Sequence, residues 1–388
     1  MKILLLNRSY YPNIGGIENS LYYLSREYKG MGHEVSILTE NKGNYLGREE
    51  YADIITYPRY NMNKLLLLVS PLVYKSKITE WIRENKQLVE ADLIISRDPM
   101  LGLAYSEVFP EADIVYIPAV VIKYYNKGIR KARSVKGYIK EILRYIQLKI
   151  EEIQQKHIIT KARRVIVFSK NVRKQLLDGK ICDNEKITIC HPGVADKFTC
   201  HEPSALVDDS IVSFVFVGRL VAEKNLGMLI DAFSQLQFIN KRLVLVGDGD
   251  QRSNLETQVE KLSLTNNVVF IGESTTPEKY YRESHFFVIP SSYESFGQVV
   301  IEALSCGVPV IGFSSIEGKT LTAIDELIAD GETGFICKEF SSNSLRDCLE
   351  RAEKVFHNGE KYCQMKSSAT QFTKDKCSWN NLAQTCLK

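Results

Sequence analysis

At 388 residues and 44% hydrophobic, the chain exceeds the roughly 250–300 residues at which a single core stops growing, so two domains are expected. Nine cysteines, an odd number with no C-x-x-C pair, exclude a disulfide framework and a tetrahedral metal centre, which implies a reducing, cytoplasmic setting. Met1 to Asn7 is too short for a signal-peptide core, and the longest apolar run, Leu65 to Val69, falls far below the roughly 20 residues of a bilayer span, so neither export nor a transmembrane helix is expected. The net charge of +3 hides an asymmetry: residues 123–164 hold thirteen Lys/Arg against Glu141, Glu151 and Glu152, which leaves the remainder near −7.

In chain order, Lys2 to Asn7 is a short apolar strand that ends in a turn-rich loop, Arg8 to Gly16. Ile17, Leu21, Leu24 and Tyr28 then recur at helical spacing until Gly30 and Gly32, and Val35 to Thr39 reads as the next strand. This is a βαβ unit. Strand-like runs follow at Leu93 to Ser96, Asp113 to Ile117, Val165 to Ser169 and Ile187 to Cys190. After a polar, poorly periodic stretch through Asp209 they resume at Val212 to Val217, Leu243 to Val246, Val268 to Ile271, Phe286 to Ile289 and Val308 to Ile311. Helical patterns such as Leu226, Leu229, Ile230, Phe233 and Leu236 separate them. Two doubly wound parallel sheets follow, with a break near the turn residues His191-Pro192-Gly193. Ligands of such sheets bind beyond the carboxyl ends of the strands, so motifs just after strands carry the weight, and two such domains imply an interdomain cleft.

Three segments stand there. Gly15-Gly16 opens the first helix, where bare backbone N–H groups suit an anion, although an ordinary turn reads the same way. Gly218-Arg219 with Lys224 follows the first strand of the second half and sets two cations at its end. Such a pair suits the developing charge of a diphosphate leaving group; the plainer reading is two solvated residues beside a helix start. The third, Glu294-Ser295-Phe296-Gly297 through Glu302, follows another strand and enters a helix at Gly297. A helix N-terminus there can meet phosphate, and carboxylates accept well from diols. Two surface glutamates are the alternative, but Glu302 sits within Val299 to Leu304, where an unpaired carboxylate is costly.

The run from Glu294 to Gly312 resembles the E-x7-E signature of the retaining glycosyltransferases of family GT4, glycosyl transferases group 1. Gly15-Gly16, Gly218-Arg219 with Lys224, Ile189 to Val194 with Phe198, Asp330 to Phe335 and the ending Trp379-Asn-Asn-Leu agree with it. The resemblance spans nearly the whole chain and is stronger in the C-terminal half. It implies a GT-B α/β fold, in which two Rossmann-like sheets face a cleft. Residues 1–188 would form an acceptor-binding domain, joined by a returning helix at 373–388, and residues 189–372 a donor-binding domain.

It further implies that Arg219 and Lys224 hold the diphosphate of a nucleotide-diphosphate sugar and that Glu302 meets the ribose. Glu294, Ser295, Phe296, Gly297, Gly218, Gly15 and Gly16 would surround the sugar and phosphates. Glu294, Arg219 and Lys224 are the expected catalytic residues for retaining transfer of a hexose or N-acetylhexosamine. No cofactor or metal is expected. Asp248-Gly-Asp250 imitates a metal motif of a different glycosyltransferase fold but reads as a helix cap. Asp92, Arg97 and Asp98 cluster beyond a strand of the acceptor half, where one could serve as a base or an acceptor contact. One departure stands out: many relatives carry a His after the strand matching Asp113 to Ile117, and here the chain reads Val115-Tyr-Ile-Pro118.

In the basic stretch, Ile139, Ile142, Leu143, Ile146, Ile150 and Ile153 recur at helical spacing, with Lys136, Lys140, Arg144 and Lys149 on other faces. A basic amphipathic helix of this kind suits peripheral contact with an anionic membrane, the plainer reading being a core stripe with solvated lysines. The expected partner is then a lipid-linked glycan of bacterial surface polysaccharide (lipopolysaccharide, O-antigen or capsule) at the inner face of the cytoplasmic membrane. The competing reading is a non-catalytic GT-B partner subunit, motivated by the missing His. Nucleic acid is not an expected partner, because no stacking aromatics or known nucleic-acid module accompany the basic residues.

Overall fold

The computed structural model describes residues 1–11, 15–40, 50–60, 69–125, 135–199 and 210–388. They form two compact units, Met1–Pro192 with Trp379–Lys388, and Gly193–Ser378. The first holds seven parallel strands: β1 (Lys2–Leu6), β2 (Glu34–Glu40), β3 (Asp53–Tyr57), β4 (Leu93–Ser96), β5 (Ile114–Tyr116), β6 (Arg164–Val167) and β7 (Ile187–Ile189), in the order β3-β2-β1-β4-β5-β6-β7. The second holds six: β8 (Val212–Val217), β9 (Lys241–Val246), β10 (Val268–Gly272), β11 (Phe286–Ile289), β12 (Val310–Phe313) and β13 (Gly334–Cys337), in the order β10-β9-β8-β11-β12-β13. All their ladders are parallel.

The central strands are unbroken apolar runs because helices cover both sheet faces. Ile3 to Leu6 in β1 and Phe286 to Ile289 in β11 are almost wholly buried. The edge strands β3 and β13, which no apolar run announced, are a half-buried, mixed sequence, Asp-Ile-Ile-Thr-Tyr, and a short, largely buried one opened by glycine, Gly-Phe-Ile-Cys. β7 extends the first sheet to Ile189, so the first unit runs to Pro192, beyond the expected 188.

The returning segment also differs from expectation. Gly359–Lys376 is one helix of the second unit, and only Trp379–Leu387 belongs to the first. There it packs on the helix Gly16–Gly30: Trp379 stacks on Tyr23 with centroids 5.3 Å apart, and the Tyr28 hydroxyl donates to the Ala383 carbonyl at 3.2 Å.

In each sheet the strand order reverses once, between β1 and β4 in the first and between β8 and β11 in the second. Loops leaving adjacent strands at such a switch point diverge and open a crevice.

Candidate active site

The second unit's switch point brings together the Gly218–Lys224 and Pro290–Gly297 segments, which are far apart in sequence. Gly218 leaves β8 at φ +148°, a conformation only glycine adopts readily, and its carbonyl presses so closely on Gly247 that a Cβ there would lie 2.0 Å away. Leu220 is fully buried and anchors the loop. A short 3₁₀ turn, Ala222–Lys224, then brings Lys224 round, and Asn225 follows in the left-handed region at φ +50°. The Asn225 amide donates to the carbonyls of Glu223 at 3.0 Å and Pro290 at 3.2 Å, and the Ser292 N–H donates to Glu223 at 3.0 Å. These bonds tie the β8 loop to the β11 loop.

Across that tie, Lys224 Nζ meets Glu294 Oε2 at 2.6 Å, with side chains only 15% and 17% exposed. Glu294 is held on the other side by its N–H to the Leu321 carbonyl at 2.8 Å. Arg219 is 75% exposed, with Glu223 at 4.0 Å as a distant partner, so its guanidinium stands ready for an external anion. Gly297 caps the helix Gln298–Ser305 at φ +90°, and a Cβ there would meet Glu294 Cγ at 3.2 Å and Val300 at 3.1 Å. Phe296 is buried beneath this turn and Ser295 is half-buried.

Glu302, on the same helix, is half-buried. Burial pushes its carboxyl up to about 7, opposed by Lys197 and by the Tyr281 hydroxyl, which donates to Oε2 at 3.4 Å. Lys197 is shared with Glu278 at 3.1 Å. Neither Tyr281 nor Lys197 was signalled by sequence spacing; only the fold places them there.

Gly15 and Gly16 begin the first helix of the other unit, and Glu18 folds back over that start, its Oε2 2.7 Å from where a Gly15 Cβ would stand. The acid already sits at the helix N-terminus, as the dipole favours.

Two expectations are corrected, and one open choice is decided. Asp92 lies at the amino end of β4, where it accepts from the Lys2 N–H at 2.7 Å and stands apart, whereas Arg97 and Asp98 leave the carboxyl end, where an open sheet binds ligand. Asp248 caps no helix: Gln251 is the cap of Arg252–Lys261, while Asp248 accepts from Gly249 at 2.7 Å and pairs with Arg252 at 2.9 Å. The apolar stripe of the long helix Val135–Lys161 is not core. Ile139 and Ile153 are 53% and 54% exposed, and no residue before Glu152 is buried. Of its basic residues, Lys136 and Lys140 are exposed, whereas Arg144 pairs with Glu141 at 2.9 Å and Lys149 with Glu152 at 2.8 Å. Leu65 to Leu68 and His201 lie outside the described residues; no described helix is long and apolar enough to cross a membrane.

Two doubly wound parallel sheets, the second with an acid, two cations and a glycine-led helix at its switch point, define a GT-B glycosyltransferase. Residues 14–198 match the model of Glycosyltransferase Family 4, and residues 201–372 that of Glycosyl transferases group 1; the chain belongs to this family. It is 26% identical to an uncharacterized glycosyltransferase of Methanocaldococcus jannaschii, MJ1178, over 98% of this chain and 95% of that one. It is 26% identical to the capsular polysaccharide biosynthesis glycosyltransferase CapM of Staphylococcus aureus, over 63% of this chain and 66% of CapM. Among solved structures, Anabaena Alr3699/HepE in complex with UDP and glucose superposes with a TM-score of 0.73 at 18% identity, covering all of this chain and 98% of that one.

Proposed function

We propose that the chain is a retaining glycosyltransferase that moves a hexose or N-acetylhexosamine from a nucleotide-diphosphate sugar to a lipid-linked glycan of bacterial surface polysaccharide. The carrying observation is the Lys224–Glu294 pair at the switch point, next to the helix led by Gly297. In this reading the second unit binds the donor and the first the acceptor. Arg219 and Lys224 take the diphosphate, whose charge develops as the glycosidic bond breaks. The diphosphate competes with Glu294 for Lys224, and the carboxylate so released accepts hydroxyls of the transferred sugar. Glu302 accepts the ribose diol, and Phe296 supports the loop from below. A leaving phosphate that takes the acceptor proton on the same face accounts for retention without a protein nucleophile. Two cations already answer the diphosphate charge, so the reaction needs no metal.

CapM's part in capsular polysaccharide and the UDP and glucose held by HepE support the choice of donor and product class. The exposed basic and apolar half of the long helix supports peripheral membrane contact, at the inner face of the cytoplasmic membrane.

A thermal-shift screen of nucleotide sugars tests the donor assignment, since a bound donor raises the melting temperature by mass action. With the donor found, Lys224→Ala is expected to lower turnover roughly 10²–10³-fold. The second reading, a non-catalytic partner subunit, is favoured by the end of β5: Tyr116 closes the strand and Ile117 follows it, both buried, and no His stands in that segment. A purified chain that binds nucleotide sugar yet releases no nucleoside diphosphate, with or without candidate acceptors, would establish that alternative.

A further inference from the structure

Apart from the donor residues, the first unit has its own cavity of about 560 Å³ at the carboxyl ends of β1, β2 and β4, where its strand order reverses. Arg8, Glu18, Glu40, Arg59, Asp98 and Glu151 supply its charge. Arg8, just beyond β1, forms an ion pair with the buried Asp98 and lies 3.7 Å from Glu151 on the long helix. The other Asp98 oxygen accepts the Leu101 N–H at 2.8 Å. Burial also raises the Glu151 carboxyl above the usual carboxylate range, against the pull of Arg8. One guanidinium is therefore answered by two carboxylates, and with Glu18 and Glu40 the acids outnumber Arg8 and Arg59 by four to two.

A second observation points into the same place. Tyr57, the last residue of β3, is fully buried, and its hydroxyl has no hydrogen-bond partner although Asp98, Arg8, Glu40 and Tyr60 all act on it electrostatically. Buried hydroxyls in native proteins are nearly always hydrogen-bonded, and Tyr57 is the register partner of Glu40 on the cavity wall, so its hydroxyl marks a group that a ligand satisfies. Tyr60 and Tyr74 meet edge to face at 5.6 Å on the rim, beside Pro71 and Met100.

We propose that this cavity is the acceptor subsite and that it takes an uncharged sugar residue, whose hydroxyls donate to the Asp98, Glu151 and Glu40 carboxylates and meet the Tyr57 hydroxyl. Carboxylates accept from vicinal hydroxyls, and the surplus of negative charge repels phosphorylated or carboxylated sugars. The assignment rests on reading the first unit as the acceptor half.

Saturation-transfer NMR on the full chain tests it, with the methyl glycosides of glucose, galactose, mannose and N-acetylglucosamine as probes and glucuronic acid and glucose 6-phosphate as their anionic counterparts. Transfer to at least one neutral glycoside and none to the anions is expected. Tyr57→Phe removes a hydroxyl that holds nothing in the unliganded protein, so its melting temperature is kept or raised while glycoside affinity falls about three- to tenfold; Glu151→Gln lowers affinity about tenfold. Silence from every neutral glycoside, equal transfer to the anions, or wild-type affinity in both variants overturns the proposal. UDP, GDP and ADP are titrated in parallel. A chain that binds nucleotide but no glycoside loses this subsite and keeps its donor assignment. One that binds a glycoside through Tyr57 but no nucleotide keeps the subsite and loses the donor assignment.

Discussion

Glu302 carries the clearest single-residue consequence. Its carboxyl titrates near 7 because the helix buries it faster than Lys197 and Tyr281 compensate. The ionised carboxylate accepts from both hydroxyls of a ribose diol more strongly than the protonated acid, which keeps one oxygen as a donor, so nucleotide binding draws this carboxyl down and releases a proton. Affinity for the nucleoside diphosphate is then expected to rise about tenfold between roughly pH 6 and pH 8. Calorimetry in two buffers of different ionisation enthalpy measures the released proton directly, and a wild-type affinity flat across that range would count against the ribose role. The stability sign is the reverse. With the folded value raised above the ordinary carboxylate range, the group favours the folded state at low pH, and that contribution is lost as pH climbs toward 7. Glu302→Gln should therefore stabilise the protein at pH 8 while weakening nucleotide binding there. Gly297 makes a complementary case. At φ +90°, with Glu294 Cγ 3.2 Å from any added Cβ, Gly297→Ala should cost about 1–2 kcal/mol in chemical denaturation and displace the acid that Lys224 holds.

At the scale of single elements, the long helix shows where sequence and structure part. Its periodicity was legible, but whether the stripe faced core or exterior was not, since both produce the same spacing. The structure leaves Val135, Tyr138 and Ile139 79%, 50% and 53% exposed and separates the basic residues into two kinds. Lys136 and Lys140 are unshielded; Arg144 and Lys149 spend their charge on glutamates one turn away. If the helix lies on an anionic surface, Lys136→Gln with Lys140→Gln should weaken co-sedimentation with phosphatidylglycerol vesicles about 30-fold, taking about 1 kcal/mol per residue. Arg144→Gln with Lys149→Gln should change it far less. Equal effects from the two pairs would assign the interaction to net charge rather than to this exposed end. The strands were more legible than the helix faces: unbroken apolar runs announce central parallel strands, whereas β3 mixes polar and apolar residues and β13 is four residues opened by a glycine, so both become strands only through pairing with β2 and β12.

Over the whole molecule, the segments that hold Arg219, Lys224 and Glu294 could be picked out from sequence because each leaves the end of a strand, and strand ends at a switch point are where an open parallel sheet binds. Tyr281, Lys197, Arg8 and Tyr57 could not, because their importance comes from neighbours distant in sequence. The same distinction applies to the chain's last helix. Ser378 closes the second unit, yet Trp379–Leu387 completes the first, burying Trp379, Leu382, Ala383 and Cys386 against the helix that Gly16 opens. Arg163 and Arg164 fasten it further, donating to the Lys388 and Thr385 carbonyls at 2.9 and 2.8 Å. Ending the chain at Ser378 strips cover from Tyr23 and Tyr28 and removes a buried tryptophan, a loss of about 3–5 kcal/mol for that side chain alone. All of it falls on the first unit. Differential scanning calorimetry of the truncated chain should therefore show one transition moved down by several degrees and a second, belonging to Gly193–Ser378, near its original temperature. Nucleotide added to the truncated chain should raise only that second transition. A single transition shifted as a whole would mean that the two units unfold together and that the last helix stabilises both.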